Sequence, residues 1–110
     1  MLGLLTRVVF LLRSRGLPDL GGLVFAVLSA VGAAGCRIVG KAGISRSGSV
    51  YLTFRDRDGC RFVVRISDHV SPGKVDRGAH HVFHVLTSSP VAGVNALATW
   101  VRRRQVNPTP

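Results

Sequence analysis

The sequence predicts an α+β fold: an N-terminal helical hairpin and a C-terminal helix packed on one face of a small antiparallel sheet of about three strands. Three observations predict it. Apolar residues in the first third recur at helical spacing, residues 50–66 alternate at period two around a turn, and a serine-capped apolar stripe ends in a run of arginines. A chain of 110 residues has room for one core. It reads as a single domain over 1–106, with 1–36 the apolar helical part, 43–87 the sheet, 88–104 the C-terminal helix and 107–110 a disordered tail.

In the first helix Leu5, Val8, Val9 and Leu12 share one face opposite Arg7 and Ser14. Gly16, Leu17, Pro18 and Asp19 punctuate the chain, and Leu20, Leu23, Val24, Val27, Leu28 and Val31 line the second helix. The run from Leu20 to Cys36 carries no charge, which raises two alternatives. A membrane span near 20–36 would be shorter than the usual ~20 residues and diluted by Gly21, Gly22, Gly32, Gly35 and Ser29. A secretory signal would take Arg13 and Arg15 as its basic part and Ala33-Ala34-Gly35-Cys36 as a lipoprotein-like cleavage box, with the basic residues far from the start. The soluble hairpin is the expectation. An apolar third this large exceeds what a three-stranded sheet can cover, and a homodimer through these helices would hide the excess.

After Cys36 the chain becomes charged and richer in turn residues. Val50, Leu52 and Phe54 alternate with Tyr51, Thr53 and Arg55; Asp56 to Gly59 supply a turn; Cys60, Phe62, Val64 and Ile66 then alternate with Arg61, Val63 and Arg65. One face of this hairpin is apolar and the other largely basic. A third strand is expected over His80 to Leu86, after a Pro72-Gly73 loop carrying Lys74, Asp76 and Arg77. Ser88 or Ser89 caps the last helix, Pro90 suits its first turn, and Val91, Val94, Leu97, Ala98 and Val101 form its stripe. Arg102, Arg103 and Arg104 stand at its C-terminal end, where the helix dipole favours cations.

Fifteen Lys and Arg face five acidic residues, all Asp, for a formal net charge of +10. Such a balance points to a polyanionic partner: nucleic acid, an acidic membrane or an acidic protein surface. Lys41 and Lys74 are the only lysines, a bias that a GC-rich coding sequence also produces. Cys36 and Cys60 match no zinc or redox spacing and read as reduced thiols.

The candidate site is built from two segments. Ser45, Arg46, Ser47, Gly48 and Ser49 form a hydroxyl-rich turn that could present N–H groups and hydroxyls to a phosphate, although its serines can equally bond their own backbone. Antiparallel pairing brings Ser47 and Ser49 near Ser67 and Asp68, at the far end of the next strand. Arg55, Arg61 and Arg65, with Tyr51, fall on the polar sheet face, where guanidinium groups suit phosphates and a tyrosine can stack a base. Asp68 beside His69 invites an acid/base reading, but neighbours on a strand point to opposite faces. His80 and His84 project alike and could begin a metal site, but a closed zinc site would need two more ligands, with His69 and Asp68 the only obvious suppliers. The expectation is no catalytic residue, no metal and no cofactor.

The Ser-Arg-Ser-Gly-Ser-Val-Tyr strand followed by Val-Arg-Ile-Ser-Asp-His resembles a segment met in small proteins of bacteriophages and other mobile elements, over residues 43 to 70. The resemblance implies a phage-type origin and carries no catalytic role. The expected function is that of an accessory protein of the bacterial host's cytoplasm, binding DNA or RNA through Ser45, Arg46, Ser47, Ser49, Tyr51, Arg55, Arg61, Arg65, Ser67, Asp68 and His69. The alternatives are an anti-defence inhibitor that engages an acidic host protein, or a small inner-membrane protein spanning near 20–36 with its basic remainder on the cytoplasmic side.

Overall fold

A computed structural model of the chain describes residue 10 and residues 12–13, 20–39, 42–46, 48–68 and 82–106. In order the elements are α1 (Gly21–Ala33), β1 (Arg37–Ile38), β2 (Gly43–Ile44), β3 (Val50–Arg55), β4 (Arg61–Ser67), β5 (Val82–Leu86) and α2 (Pro90–Val106). The class is α+β. Of the expected first helix, Phe10, Leu12 and Arg13 are helical and Leu12 is fully buried; Leu5, Val8 and Val9 lie outside the described residues.

The sheet corrects the expectation of about three antiparallel strands. It has five, and it is mixed. β3 and β4 form the expected antiparallel hairpin, with Val50 opposite Ile66 and Arg55 opposite Arg61. β1 and β2 pair antiparallel with the outer edge of β3, at Arg55 and Phe54 and at Tyr51 and Val50 respectively. Each is two residues long, too short to show a period-two signal. β5 pairs with β4 in parallel, Val63 to Val82 through Ser67 to Leu86. Alternation reveals a strand but not its direction, and the stretch from Ser67 to Val82 is long enough for a parallel crossover. His80 and His81, expected in this strand, lie outside the described residues.

Both hairpins turn the same way. Gly48 N–H donates to the Ser45 carbonyl at 3.0 Å and Ser45 N–H to the Ser49 carbonyl at 2.8 Å; Gly59 N–H donates to Asp56 and Asp56 N–H to Cys60, each at 3.0 Å. Gly48 and Gly59 have φ of 87° and 83°, the left-handed conformation that closes a three-residue hairpin loop with a bulge. The first residue of each loop ties down its backbone. Ser45 Oγ accepts from Ser49 N–H at 3.1 Å, and Asp56 Oδ1 accepts from the N–H groups of Asp58 and Cys60 at 2.9 Å.

The apolar face of the sheet carries Val50, Leu52, Phe54, Phe62, Val64, Ile66 and Val85, all essentially inaccessible. Against it lie Val24, Val27, Leu28 and Val31 of α1 and Leu97 and Val101 of α2. Phe54 stacks on Phe62 with centroids 5.4 Å apart, and Trp100 meets Phe62 edge-on at 5.4 Å and Phe83 at 5.3 Å. These contacts set the last turns of α2 beside the Phe54–Phe62 end of the sheet. α1 packs against α2 and touches β1. With 13 residues it is about 20 Å long against a hydrocarbon thickness of about 30 Å. Among the described residues no helix is long and apolar enough to cross a membrane.

The end of α1 fixes where β1 begins. Gly35 N–H bonds to the Gly32 carbonyl at 3.0 Å and Cys36 N–H to the Val31 carbonyl at 3.2 Å, the paired bonds of a left-handed helix stop. Gly35 has φ of 83°, and a Cβ there would come 2.6 Å from Arg57 Nε. A Gly35→Ala variant is therefore expected to lose about 1–2 kcal/mol of unfolding free energy in urea titration. A wild-type midpoint would contradict this account of the turn.

Candidate nucleic-acid interface

Residues opposite one another on paired strands share a face, so the register of the sheet arranges its second face in ranks. From one end to the other these are Ser49 with Ser67; Tyr51, Arg65 and His84; Thr53, Val63 and Val82; and Arg37, Arg55 and Arg61. The hydroxyl end at Ser49 and the arginine end at Arg55 lie at opposite ends of β3, about 20 Å apart by strand rise.

The hydroxyl end is closed on itself. Ser49, Arg65 and Ser67 are 1%, 4% and 3% exposed. Ser49 Oγ donates to Ser67 Oγ at 3.0 Å and accepts from Arg65 Nη2 at 3.1 Å. Arg65 Nε donates to the Tyr51 hydroxyl at 3.2 Å, and the guanidinium carbon stands 6.0 Å from the centroid of that ring, at the outer reach of a cation–π contact. The pairing expected between the Ser45–Ser49 turn and the end of β4 is thus present at Ser49 and Ser67, as an interior network.

His84 sits opposite Arg65 on β5, partly buried, and its Nδ1 is buried without a hydrogen-bond partner. Desolvation, and secondly the Arg65 charge, hold its pKa below the ordinary 6.5. Among the described residues no three His, Cys, Asp or Glu side chains cluster as metal ligands. His69, His80 and His81 lie outside that set, as does Ser47.

The arginine end is open. Arg37 and Arg61 are exposed and flank Arg55, whose Nε is buried with no hydrogen-bond partner. Among the described residues none of the three meets a carboxylate. Arg57, exposed in the β3–β4 turn, lies over Gly35 at the C-terminal end of α1, and Arg102 and Arg103 extend from α2 past Trp100 at the same end of the sheet. The nearby acids are Asp56, whose Oδ1 is held by two backbone N–H groups, and exposed Asp58.

Of the residues singled out from sequence, Ser49, Tyr51, Arg65 and Ser67 meet in the interior network, and Arg55 and Arg61 stand together at the open end. Ser45 is spent on its own turn; Arg46 is exposed at the tip of that turn, and Asp68 is exposed just past β4, both remote from Arg55 and Arg61. Arg37 and Arg57 escaped the sequence reading. The signal for Arg57 was its place in a turn whose outline matches that of Arg46, whereas Arg37 becomes a neighbour of Arg55 only through the register of a two-residue strand.

No family model, curated protein or solved structure matches this chain.

An apolar groove of about 560 Å³ opens between the N-terminal halves of α1 and α2, lined by Leu23, Ala26, Pro90, Val91 and Val94 among others. It lies at the end of the molecule remote from the arginines.

Two outcomes follow from these environments. Arg65→Ala should lower the unfolding free energy by about 2–4 kcal/mol by stranding buried hydroxyls, whereas Arg61→Ala should change it by less than about 0.5 kcal/mol. Equal losses in denaturant titrations of the two variants would deny Arg65 its structural part. For His84, the folded state takes up its proton less readily than the unfolded chain does. The stability this contributes is complete above about pH 6.5 and is lost as the pH falls toward the lower folded-state pKa. Unfolding midpoints measured between about pH 5 and about pH 8 should therefore fall less steeply on the acid side in His84→Gln than in wild type; parallel curves would refute it.

Proposed function

We propose that this protein is a nucleic-acid-binding accessory factor of the phage or mobile-element type, and that it grips its partner with the arginines at one end of the sheet. The observation that carries the reading is the rank Arg37, Arg55 and Arg61: three guanidinium groups in cross-strand register with no carboxylate among the described residues to neutralise them. Like charges directly opposite one another repel, and a phosphate backbone is the partner that turns such a rank into an attractive surface. Arginine's planar fork suits phosphate oxygens, and a formal charge of +10 adds long-range attraction. The mobile-element origin rests on the resemblance over residues 43 to 70. The binding surface excludes Arg65, Ser49 and Ser67, whose donors and acceptors face one another.

Fluorescence anisotropy with labelled DNA and RNA tests this. At about 50 mM salt, Arg37→Ala/Arg55→Ala/Arg61→Ala should weaken binding by roughly 100-fold or more, while Arg46→Ala, at the far end of the sheet, should stay within about threefold of wild type. Undiminished binding by the triple variant, or none by the wild type, would overturn the assignment. In the second case an acidic protein surface becomes the partner to pursue.

A further inference from the structure

We infer that the form of nucleic acid held at the arginine end is a duplex, contacted along its phosphate backbone without reading its bases. This rests on the nucleic-acid reading above and names the partner at that same site.

The first observation concerns stacking. Proteins that prefer single strands order them on exposed aromatic rings, each base contributing about 1–3 kcal/mol. Here Tyr51 is the one Phe, Tyr or Trp on the described second face of the sheet, and it is already engaged through its hydroxyl and its ring by Arg65. Phe54, Phe62, Phe83 and Trp100 pack on the helix-covered side. The exposed aromatics Phe10 and Phe25 belong to the N-terminal helical part. A flexible single strand would have to be ordered on this face without stacking to offset the cost.

The second observation is shape. At the arginine end β1, β3 and β4 lie side by side, and β5 begins one rank further in, at Val82 beside Val63. Three strands at about 4.8 Å spacing are wider, with their long arginine side chains, than the ~12 Å major groove, which admits two. The face therefore rests on the groove's rims, where the phosphates are. Its narrow hairpin tip is unsuited to enter instead, because it presents exposed Asp58 and its Arg57 lies over Gly35.

The third is charge density. A duplex presents one negative charge per about 1.7 Å of axis, twice the density of one strand, so three guanidiniums carried on strands spread over about 10 Å neutralise more of it per unit length. Cations carried at the set spacing of paired strands also match phosphates that the duplex already holds in place.

The test compares the full-length protein against two unrelated duplexes of about 20 base pairs and an oligo-dT of equal length, at about 50 and about 200 mM salt. The duplexes should bind about tenfold or more tighter than oligo-dT and within about twofold of each other. For a duplex, the slope of log affinity against log salt should shrink by about one in Arg61→Ala, whose unfolding midpoint serves as a folding control. Oligo-dT binding as tightly as duplex, or a large difference between the two duplexes, overturns this inference while leaving nucleic-acid binding intact. Failure of all three ligands overturns both.

Discussion

Strand β4 is hydrogen-bonded along both edges and buried on both faces from Phe62 to Ser67, and the placement of charge in the molecule follows from that. A strand so enclosed tolerates a charge at its open end or, deeper in, with its donors satisfied internally. Arg61 and Arg65 project from the same face and are equivalent in the alternation. Arg61 is the first residue of the strand and stays exposed; Arg65 is four residues further in and is folded into a set of hydroxyls. Depth along one strand thereby separates a structural arginine from one free to meet a partner.

The two hairpin loops extend the same logic. Ser45-Arg46-Ser47-Gly48 and Asp56-Arg57-Asp58-Gly59 share a design in which the first side chain bonds the backbone beyond the glycine. The hydroxyl of Ser45 is consumed by that closure, and that of Ser49 by Ser67 and Arg65. What remains for a ligand is a set of guanidinium groups, and several of those described gather at one end because α1 stops at Gly35 and β1 starts opposite Arg55, while Arg102 and Arg103 follow Trp100 on the helix that covers the other face.

Much of this was legible in the residues. The α1 stripe from Leu20 to Val31, the β3–β4 hairpin with its turn, and a C-terminal helix opened by Pro90 are patterns several residues long, each written in one stretch of chain. β1 and β2 were not legible because two residues carry no periodicity. The parallel course of β5 was not legible either, since a strand reads alike in both directions. In the candidate site, alternation correctly brought Ser49 beside Ser67, but alternation reports a face and not its depth. It therefore grouped buried Arg65 with exposed Arg61, and it could not find Arg37, whose neighbour Arg55 is set by sheet register alone.

The rank of arginines also bears on why the sheet is as it is. Three like charges in register are mutually unfavourable, and Arg55, held between two others, has a buried Nε with no partner. In the free protein this end of the sheet is therefore a local source of instability, offset by the apolar contacts of Phe54, Phe62 and Trp100 on the opposite face. An anion bound across the rank removes the repulsion and satisfies the donors at once, so the bound state gains more than the contacts alone would give. The aromatic stack beneath and the arginines above thus form one unit: the stack holds the strands in register against the repulsion, and the register keeps three guanidinium groups in line, as the proposed contact with a phosphate backbone requires.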